Sequence, residues 1–175
     1  TIQHECDFFV EEKPNWLFPQ KPVQSIFFDG GIESLKDILT GGTKYYNYGC
    51  HGTGIATAAD SLAAVKKYVY DEKRLTLQQF RKVLQDDWAG HEDLQIEILN
   101  EKNRYGNGLA EPDDLARDIY AHLAALIVGR KNKIGGVWRL GADSVMHCVD
   151  HAAYVAATPD GRQARAMFSK NMCGV

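Results

Sequence analysis

The sequence predicts an α/β fold in which helices predominate and the strands are too few to complete a sheet of their own. Several segments carry apolar residues at helical spacing, and residues 55–69 are the clearest of them. Residues 43–48, 137–149 and 152–158 have the aromatic or alternating composition that is typical of strands. Because two or three strands form a poor sheet by themselves, we expect partner strands from outside these segments.

The composition is that of an ordinary globular protein, with 175 residues of which 45% are apolar and 25% charged. The net charge of -3 and the scattered Lys and Arg give no reason to expect a nucleic acid or an anionic membrane as partner. We find neither a membrane-spanning apolar stretch nor a secretory signal. The four cysteines form no Cys-x-x-Cys pair, so reduced thiols and a cytoplasmic location are expected.

The first part of the chain is predicted to be an extended arm followed by a helix. Residues 1–22 contain Pro14, Pro19 and Pro22, which oppose helix formation, and we expect this arm to pack its aromatic side chains on a neighbour. Residues 23–39 predict a helix. The pair Gly30-Gly31 weakens that helix, so either another segment approaches its backbone closely or the helix breaks there.

The middle of the chain predicts a glycine turn and then a series of amphipathic helices. After the strand at 43–48, residues 49–54 (GCHGTG) form the turn, and a helix begins at Ile55 with Asp60 on the face opposite its apolar stripe. Another helix is predicted to open at Thr76, where Gln79 completes a capping-box pattern. A short helix over residues 91–100 comes next.

The last part of the chain predicts one long helix and two strands. Pro112 is placed as in a first helical turn, and apolar residues then recur at helical spacing up to Val128. The strands at 137–149 and 152–158 follow, and the second ends in the turn Pro159-Asp160-Gly161. We find no internal boundary and predict a single segment over 1–175. The abrupt ends and the few strands suggest that it belongs to something larger.

Three groups of residues could carry chemistry, and for each a structural role is also open. The glycine turn at 49–54 precedes a helix, as anion-binding loops do, but it matches neither the dinucleotide nor the Walker pattern. His147 and Cys148 with Asp150 and His151 offer metal-ligand types, yet adjacent residues of a strand point to opposite faces. Cys50 and His51 could form a nucleophile pair, although neighbouring residues rarely orient for proton transfer.

Three patches, in order and suitably spaced, resemble the glycyl radical enzymes of the pyruvate formate-lyase type. The first comprises residues 41–49 (GGTKYYNYG) and 52–67 (GTGIATAADSLAAVKK). The second is the strand-like run at 141–145 (GADSV), and the third is the loop at 157–162 (ATPDGR). The resemblance extends over roughly residues 22–171 and is much more specific than any single patch.

The resemblance implies a fold, a chemistry and a set of partners. Enzymes of this family are ten-stranded α/β barrels with helices outside, and they act as anaerobic lyases, dehydratases, decarboxylases or acyltransferases. A glycyl radical near the C-terminus passes to a cysteine inside the barrel. A separate iron–sulfur, S-adenosylmethionine-dependent activating enzyme generates the glycyl radical. The expected partners of this chain are therefore the remainder of the barrel, that activating enzyme and a second copy of the complete enzyme.

The chain departs from the family pattern at both radical positions. The thiyl cysteine should lie upstream of Gly41 within a Cys-x-Glu pattern, whereas Cys6 is followed by Asp7 and Phe8. Cys50 and Cys148 match no thiyl position, and Cys173-Gly174 lacks the context of the radical glycine. No catalytic residue, metal ligand or cofactor-binding residue is therefore assigned to this chain.

One functional role can be carried over from the family, and it concerns the substrate pocket. In relatives the strand before the ATPDGR-like loop adds side chains to the pocket, and the matching positions here are Asp143, Val145 and His147. They alternate onto one face of the predicted strand. Asp143 and His147 would make the pocket polar, or they could form a satisfied polar pair within the barrel wall. Arg162 resembles a residue that fixes the loop.

Three functions follow from the sequence, and the first is favoured. The chain is expected to form barrel wall and pocket lining in a radical lyase that cleaves a C–C or C–heteroatom bond. It could instead be a non-catalytic binding or assembly module. It could also be a small-molecule enzyme built on the turn at 49–54.

Overall fold

The computed structural model describes residues 2–11, 20–132, 135–142 and 148–169. The elements, in chain order, are α1 (Ile2–Glu11), α2 (Pro22–Ser25), α3 (Gly31–Ser34), β1 (Tyr48–Gly52), α4 (Ile55–Val65), a π-helix (Lys66–Asp71), α5 (Leu77–Gln85), α6 (Glu92–Leu99), α7 (Ala110–Ile127), β2 (Trp138–Ala142) and α8 (Cys148–Ala152). The strands β1 and β2 pair with each other. The described chain is thus mostly helical with one two-stranded sheet.

Contacts divide the chain into two compact units. Unit 1 comprises Thr1–His51 and His122–Gly141, and unit 2 comprises Gly52–Ala121 and Ala142–Val175. Each unit combines pieces that are distant in sequence. The single segment over 1–175 stays a prediction, since one segment of a larger domain can contain two compact units.

The prediction of an extended arm over residues 1–22 is wrong for its first part, because Ile2–Glu11 form α1. The prolines that suggested an arm lie further along, and Pro14 and Pro19 fall outside the described residues. Nothing in residues 2–11 opposes a helix. Pro22 itself is the first residue of α2, a position where the missing N–H costs nothing.

The helix predicted over residues 23–39 is broken into the single turns α2 and α3. Gly30 has a φ of 91° and Leu35 a φ of 53°, and both angles lie outside the right-handed helical region. Both possibilities raised by the glycine pair are realised. The chain breaks at Gly30, and the Ser25 carbonyl oxygen lies so close to Gly31 that an added Cβ would be only 2.0 Å from it.

Polar side chains, rather than apolar ones, hold the α2–α3 region together. The Ser25 hydroxyl donates to the Lys21 carbonyl at 2.8 Å and accepts from the Ile38 N–H at 3.1 Å. The Asp37 carboxylate accepts from the N–H groups of Lys21 and Leu39 at 2.6 and 2.8 Å. These hydrogen bonds, led by that of Leu39, hold the pKa of Asp37 below its ordinary value.

The strand predicted at 43–48 lies later in the chain, because β1 spans Tyr48–Gly52. The predicted turn at 49–54 is therefore strand for most of its length. In unit 1 the Tyr48 ring packs edge-on against Trp138, with ring centroids 5.1 Å apart. Trp138, Ile127 and Cys6 form the buried centre of this unit. Tyr48 thus belongs to a packed strand, and the aromatic run before it does not form one.

The helices predicted in the middle of the chain are confirmed. The helix α4 begins at Ile55 and α6 spans Glu92–Leu99. Thr76 caps α5, since its hydroxyl accepts from the Gln79 N–H at 3.2 Å while the Gln79 side chain accepts from the Thr76 N–H at 2.8 Å. The pattern after Pro112 is also confirmed as a helix, α7, whose first turn begins slightly earlier at Ala110.

Unit 2 has one main apolar core. Tyr68, Phe80, Trp88 and Ile98 are almost fully buried and pack with Val83, Ala64 and Ala157. Tyr68 lies in the π-helix that continues α4, and its ring is completely buried. Its hydroxyl donates to Glu97 and Glu101, each at 3.2 Å, so the one polar atom of this side chain is satisfied.

The strands predicted at the end of the chain are corrected in part. The first is confirmed over Trp138–Ala142, but Cys148–Ala152 form the helix α8, so strand does not reach Val149. Residues 152–158 are not a strand either, because Ala152 closes α8 and the N–H groups of residues 153–155 donate back to carbonyls of that helix. The predicted turn at Pro159-Asp160-Gly161 is present, and Gly161 has a φ of 95°.

In the part of the chain that the structure describes, no helix combines the length and the apolar character needed to cross a membrane.

Candidate functional site

The three predicted pocket residues Asp143, Val145 and His147 lie outside the described residues. The strand β2 leads up to them and ends at Ala142. On the other side, α8 begins at Cys148 and the chain then reaches the loop at 157–162. The site is therefore built from this loop, which carries the third of the matching patches.

The loop at 157–162 is a tight turn closed by its own side chains. The Thr158 hydroxyl donates to Asp160 Oδ1 at 2.5 Å, and the Thr158 N–H donates to the Arg162 carbonyl at 3.0 Å. Gly161 takes the left-handed conformation that the turn needs. Asp160 and Arg162 are 2% and 6% exposed, although both are charged residues of a surface-type turn. Burial of this kind indicates a loop held in one conformation.

The Arg162 side chain donates hydrogen bonds to several backbone carbonyl groups. Its guanidinium donates to the carbonyls of Ala156, Gln163 and Ala166 and, through Nε, to the Thr158 hydroxyl at 3.0 Å. The guanidinium also stacks on the Phe168 ring, 4.8 Å from its centroid. Because these partners belong to the loop and to the residues on either side of it, the geometry fits the role of Arg162 suggested by the resemblance. That role is to fix the loop.

A buried charge cluster joins the loop to α4, and it was not recognised from the sequence. Arg104 Nη2 lies 3.2 Å from Asp60 Oδ2 and 4.0 Å from Asp160 Oδ2. Arg104 Nη1 donates to the carbonyls of Ile98 and Asp160 at 3.2 and 3.1 Å. All three charged residues are less than a tenth exposed. The expectation that Asp60 faces away from the apolar stripe is therefore wrong, because Asp60 points into unit 2.

The surroundings of Asp60 act on the pKa of its carboxyl group in both directions. Burial raises its pKa above the ordinary value of 3.8, and nearby Asp160 acts in the same direction. The Tyr105 N–H, which donates to Asp60 Oδ1 at 2.7 Å, and the Arg104 guanidinium lower the pKa. A carboxylate with one cation and one backbone donor remains compatible with burial. The Tyr105 N–H and the charge of Arg104 together make the buried Asp60 carboxylate tolerable there.

The helical part of unit 2 contacts the loop through three more side chains. Gln95 donates to the Gly161 carbonyl at 2.8 Å, and Trp88 Nε1 donates to the Arg162 carbonyl at 3.3 Å. The Asp87 carboxylate accepts from the Ala164 N–H at 2.7 Å. These residues carried no sequence signal, since they match no motif and lie far from the loop along the chain.

The geometry counts against anion binding at the turn before α4. Gly54 takes a φ of 73° at the helix start, as an anion-binding turn could. However, the Thr57 N–H donates to the Ser169 hydroxyl at 3.3 Å, and the Phe168 ring packs over Gly54. The chain's own C-terminal residues thus occupy the position that a phosphate would take. This weakens the hypothesis of a small-molecule enzyme built on residues 49–54.

The described geometry gives no support to the nucleophile pair at Cys50 and His51 or to a metal site. In unit 1, burial raises the pKa of the Cys50 thiol, with Cys6 adding to the effect, so the reactive thiolate is disfavoured. Among the described residues no group of His, Cys, Asp and Glu is arranged to hold a metal ion. His147 and the Cys148 side chain lie outside that description.

The ion pair between Arg74 and Glu97 predicts a dependence of stability on pH. Arg74 donates to both Glu97 oxygens, at 2.6 and 3.0 Å, and so holds the pKa of Glu97 below its ordinary 4.5. The stabilisation is complete above the ordinary pKa and is lost as the pH falls through the lowered value. We expect Glu97→Gln to destabilise unit 2 at about pH 6 and to do so less at about pH 3.

Urea denaturation at both pH values checks this expectation. Asp60 has a raised pKa, so its contribution to stability depends on pH in the opposite direction. Asp60 is present in both the parent chain and the Glu97→Gln variant, so its contribution cancels in their difference. The control is Glu97→Gln made in an Arg74→Met protein, where the guanidinium is already absent and the difference between the two pH values should be smaller. A Glu97→Gln effect of the same size at both pH values would contradict the assignment.

Comparison with known proteins assigns the family. Residues 18–149 match the sequence model of the PFL-like family, described as pyruvate formate lyase-like. The match covers most of the chain, and the chain belongs to this family. The matched range contains residues 41–49 and the helix α4, so most of the patches that suggested the resemblance lie inside that range.

Curated relatives include dehydratases and lyases. The chain is 36% identical over 152 residues to the (2S)-3-sulfopropanediol dehydratase of Klebsiella oxytoca, which covers 86% of this chain and 18% of the relative. It is 34% identical over 115 residues to the isethionate sulfite-lyase of Bilophila wadsworthia, covering 63% of this chain and 13% of that enzyme. The chain thus spans less than a fifth of the length of these two relatives.

Solved structures show the same relationship in three dimensions. The hydroxyproline dehydratase of Clostridioides difficile with bound trans-4-hydroxy-L-proline aligns with a TM-score of 0.80 at 25% identity, over 95% of this chain and 20% of that one. A glycyl radical enzyme from Archaeoglobus fulgidus aligns with a TM-score of 0.83 at 20% identity, over 97% of this chain and 22% of that one. The second likeness concerns the fold alone. Both confirm that the chain has the fold of a segment of a glycyl radical enzyme barrel.

Proposed function

We propose that the chain forms barrel wall in a glycyl radical dehydratase or lyase and lines its substrate pocket through Asp143, Val145 and His147. The curated relatives that support this are a dehydratase and a sulfite-lyase. The bond that is cleaved would be a C–C or C–heteroatom bond. The radical glycine and the thiyl cysteine are supplied outside the matching positions of this chain, so no radical step is assigned to its residues.

An inverted surface in unit 1 is the observation that carries the barrel-wall role. We call residues 23–45 the inverted segment, because its buried residues are small while its large apolar side chains are exposed. Ser25, Gly31 and Gly42 are buried. Val23, Ile26, Phe27, Phe28, Ile32, Leu35 and Tyr45 are each more than half exposed. So many large apolar side chains in one short segment indicate that further protein covers them.

The covering protein in this proposal is the remainder of the barrel. The aligned solved structures are about five times as long as the part that this chain matches, so polypeptide is available to cover the segment. The other proposed partners are the radical S-adenosylmethionine activating enzyme and, as a homodimer, a second copy of the complete enzyme. A cytoplasmic location is proposed with them.

A chimera tests the proposed function. In the Klebsiella oxytoca dehydratase, the 152 matching residues are replaced by the corresponding residues of this chain. After activation by that dehydratase's own activating enzyme, we expect a glycyl radical signal in electron paramagnetic resonance and turnover of (2S)-3-sulfopropanediol or of isethionate. A folded chimera that forms the radical but converts neither compound nor trans-4-hydroxy-L-proline would contradict the pocket role.

Variants of the inverted segment test the barrel-wall role. Phe27 and Ile32 are 79% and 62% exposed in the chain. We expect Phe27→Ser and Ile32→Ser to change the unfolding free energy of the isolated 175-residue chain by less than about 0.5 kcal/mol. In the chimera each should cost about 2 kcal/mol or more, because these side chains are then buried. Thermal and urea unfolding of both proteins measure the difference.

The matched control for these variants is Lys36→Ser, an exposed polar residue of the same segment. It should leave the stability of both the chain and the chimera unchanged. If Phe27→Ser and Ile32→Ser have equally small effects in the isolated chain and in the chimera, the inverted segment faces solvent in the barrel. That result would contradict the barrel-wall role.

A further inference from the structure

A small cavity in unit 2 lies against two members of the buried charge cluster. Its lining residues come from α4, the π-helix and the segment around the end of α6, and they include Asp60, Tyr68, Glu101 and Arg104. All of them belong to unit 2. The cavity has a volume of about 20 Å³. One water molecule needs roughly 10–15 Å³, so the cavity admits a single water molecule but not a metabolite.

Two charged side chains of this lining each have a buried polar atom with no hydrogen-bond partner among the described residues. One is the donor Arg104 Nε and the other is the acceptor Asp60 Oδ2. Asp60 Oδ2 lies 3.2 Å from Arg104 Nη2, which makes an ion pair but not a hydrogen bond. The Arg104 and Asp60 side chains are only 8% and 3% exposed. Buried polar atoms of native proteins are nearly always bonded to protein or to an ordered water.

The other polar atoms of these two side chains are bonded, and those bonds hold both side chains in place. Arg104 Nη1 donates to the carbonyls of Ile98 and Asp160 at 3.2 and 3.1 Å. Asp60 Oδ1 accepts from the Tyr105 N–H at 2.7 Å. Turning either side chain toward another protein partner would break these bonds. The partner that Nε and Oδ2 need must therefore come to them, and the adjoining cavity has room for it.

The chemistry of the two atoms selects a neutral occupant. A cation would meet the N–H of the Arg104 guanidinium, and an anion would meet the Asp60 carboxylate. A molecule that accepts one hydrogen bond and donates another satisfies both atoms, and water is the one small enough for this volume. The Tyr68 hydroxyl and the Glu101 carboxylate belong to the same lining and offer further acceptor oxygens. A buried water typically makes about three hydrogen bonds, and these groups can supply them.

We propose that one ordered water molecule occupies this cavity, where it accepts from Arg104 Nε–H and donates to Asp60 Oδ2. The site does not depend on the proposed function. The water completes the hydrogen bonding of the side chains that connect α4 with the loop at 157–162, because Arg104 also donates to the Asp160 carbonyl. A single water leaves Asp60, Arg104 and Asp160 less than a tenth exposed, so the cluster stays buried.

A crystal structure of the 175-residue chain, at a resolution that shows ordered waters, tests the site directly. We expect a water oxygen about 2.7–3.2 Å from both Arg104 Nε and Asp60 Oδ2. Arg162 Nε is the internal control, because it is buried but donates to the Thr158 hydroxyl at 3.0 Å, and it should bind no water. A protein side chain, an ion or no electron density at the predicted position would contradict the proposal.

Nuclear magnetic resonance tests the same site in solution. In a rotating-frame Overhauser experiment on the 175-residue chain, the Arg104 Nε–H proton should show a cross-peak to water with the sign of a bound molecule. The Trp88 Nε1–H proton is the control, because Trp88 is 1% exposed and donates to the Arg162 carbonyl, so it should show none. The absence of the Arg104 cross-peak contradicts the proposal. A peak with the sign of proton exchange also contradicts it, because Nε would then face bulk solvent.

A pair of substitutions that keep the charge assigns the cross-peak to the site. Arg104→Lys removes the Nε–H donor, and the cross-peak to water should be lost. Arg117→Lys makes the same change at a side chain that is 67% exposed, and the cross-peak should remain unchanged. A cross-peak that persists in Arg104→Lys belongs to another proton and would overturn the site. Its loss in Arg104→Lys alone, together with the water oxygen in the crystal structure, would support it.

Discussion

Replacing Gly136 by alanine should destabilise unit 1 by about 3 kcal/mol or more, because the added methyl group has no room. A Cβ at Gly136 would lie 1.2 Å from the Tyr46 carbonyl oxygen and 2.2 Å from its carbon. Both atoms belong to the backbone, so no side-chain rotation relieves the clash. The substitution must displace one of the two chain segments.

The segments around Gly136 are bonded to each other, and a displacement therefore breaks several contacts. The Asn132 side chain donates to the Tyr46 carbonyl and accepts from the Gly136 N–H, both at 2.8 Å. The Asn132 N–H donates to the Gly136 carbonyl at 2.9 Å. Each such bond contributes about 1 kcal/mol. Loss of this arrangement would also disturb Trp138, which is buried two residues further along.

Urea denaturation of the 175-residue chain, followed by the fluorescence of its tryptophans, measures the effect. Gly49→Ala is the control, because its Cβ would meet only the far end of the His51 side chain, at 3.2 Å, and that side chain can move. The control should stay within about 0.5 kcal/mol of the parent. A Gly136→Ala protein that is equally stable would show that Tyr46 and Gly136 do not pack as described.

Replacing Arg104 by methionine should cost about 3–5 kcal/mol, because it leaves two carboxylates buried without their cation. Asp60 Oδ2 and Asp160 Oδ2 lie 3.2 and 4.0 Å from the guanidinium, and both residues are less than a tenth exposed. The carbonyls of Ile98 and Asp160 would lose their donor as well. Methionine keeps most of the side-chain volume, so the effect reports on charge and hydrogen bonding.

Arg117→Met is the matched control for this substitution. Arg117 also lies near two carboxylates, at 2.6 Å from Asp114 and 3.3 Å from Asp118, but its side chain is 67% exposed. Ion pairs in water contribute little, so the control should cost less than about 1 kcal/mol. Similar losses for Arg104→Met and Arg117→Met would mean that the Asp60–Arg104–Asp160 cluster is hydrated rather than buried.

The elements that could be predicted from the sequence are those fixed by local patterns. The helices α4 to α7 follow from the spacing of their apolar residues, and the start of α5 follows from the reciprocal bonds of Thr76 and Gln79. The turn at residues 159–161 follows from its Pro-Asp-Gly sequence. In each case the residues that determine the structure lie within a few positions of it.

The elements that were predicted wrongly depend on contacts between distant residues. Residues 23–39 have helical spacing, but Ser25 and Asp37 bond across the break and stabilise two single turns instead. Asp60 was placed on the solvent face because its partner Arg104 lies 44 positions further along (104 minus 60). A charged residue within an alanine-rich helix is a weak hint of burial, and only the tertiary structure supplies the cation.

The location of the candidate site could be predicted from the sequence, but the contacts that hold its loop could not. The ATPDGR patch marked the loop, and the role suggested for Arg162 fits its contacts with the carbonyls that follow the loop. Asp87 and Gln95 could not be found, since a single hydrogen bond to a backbone group leaves no pattern in the sequence. The pocket residues Asp143, Val145 and His147 remain a prediction, because they fall outside the described residues.

A crystal structure of the chimera with (2S)-3-sulfopropanediol bound would show where the inverted segment and residues 143–147 lie in the barrel. We expect residues of the host barrel to cover Phe27 and Ile32. We also expect side chains of residues 143–147 to lie within about 4.5 Å of the substrate. A chimera in which the apolar side chains of the inverted segment stay open to solvent, with residues 143–147 remote from the ligand, would contradict the barrel-wall and pocket roles.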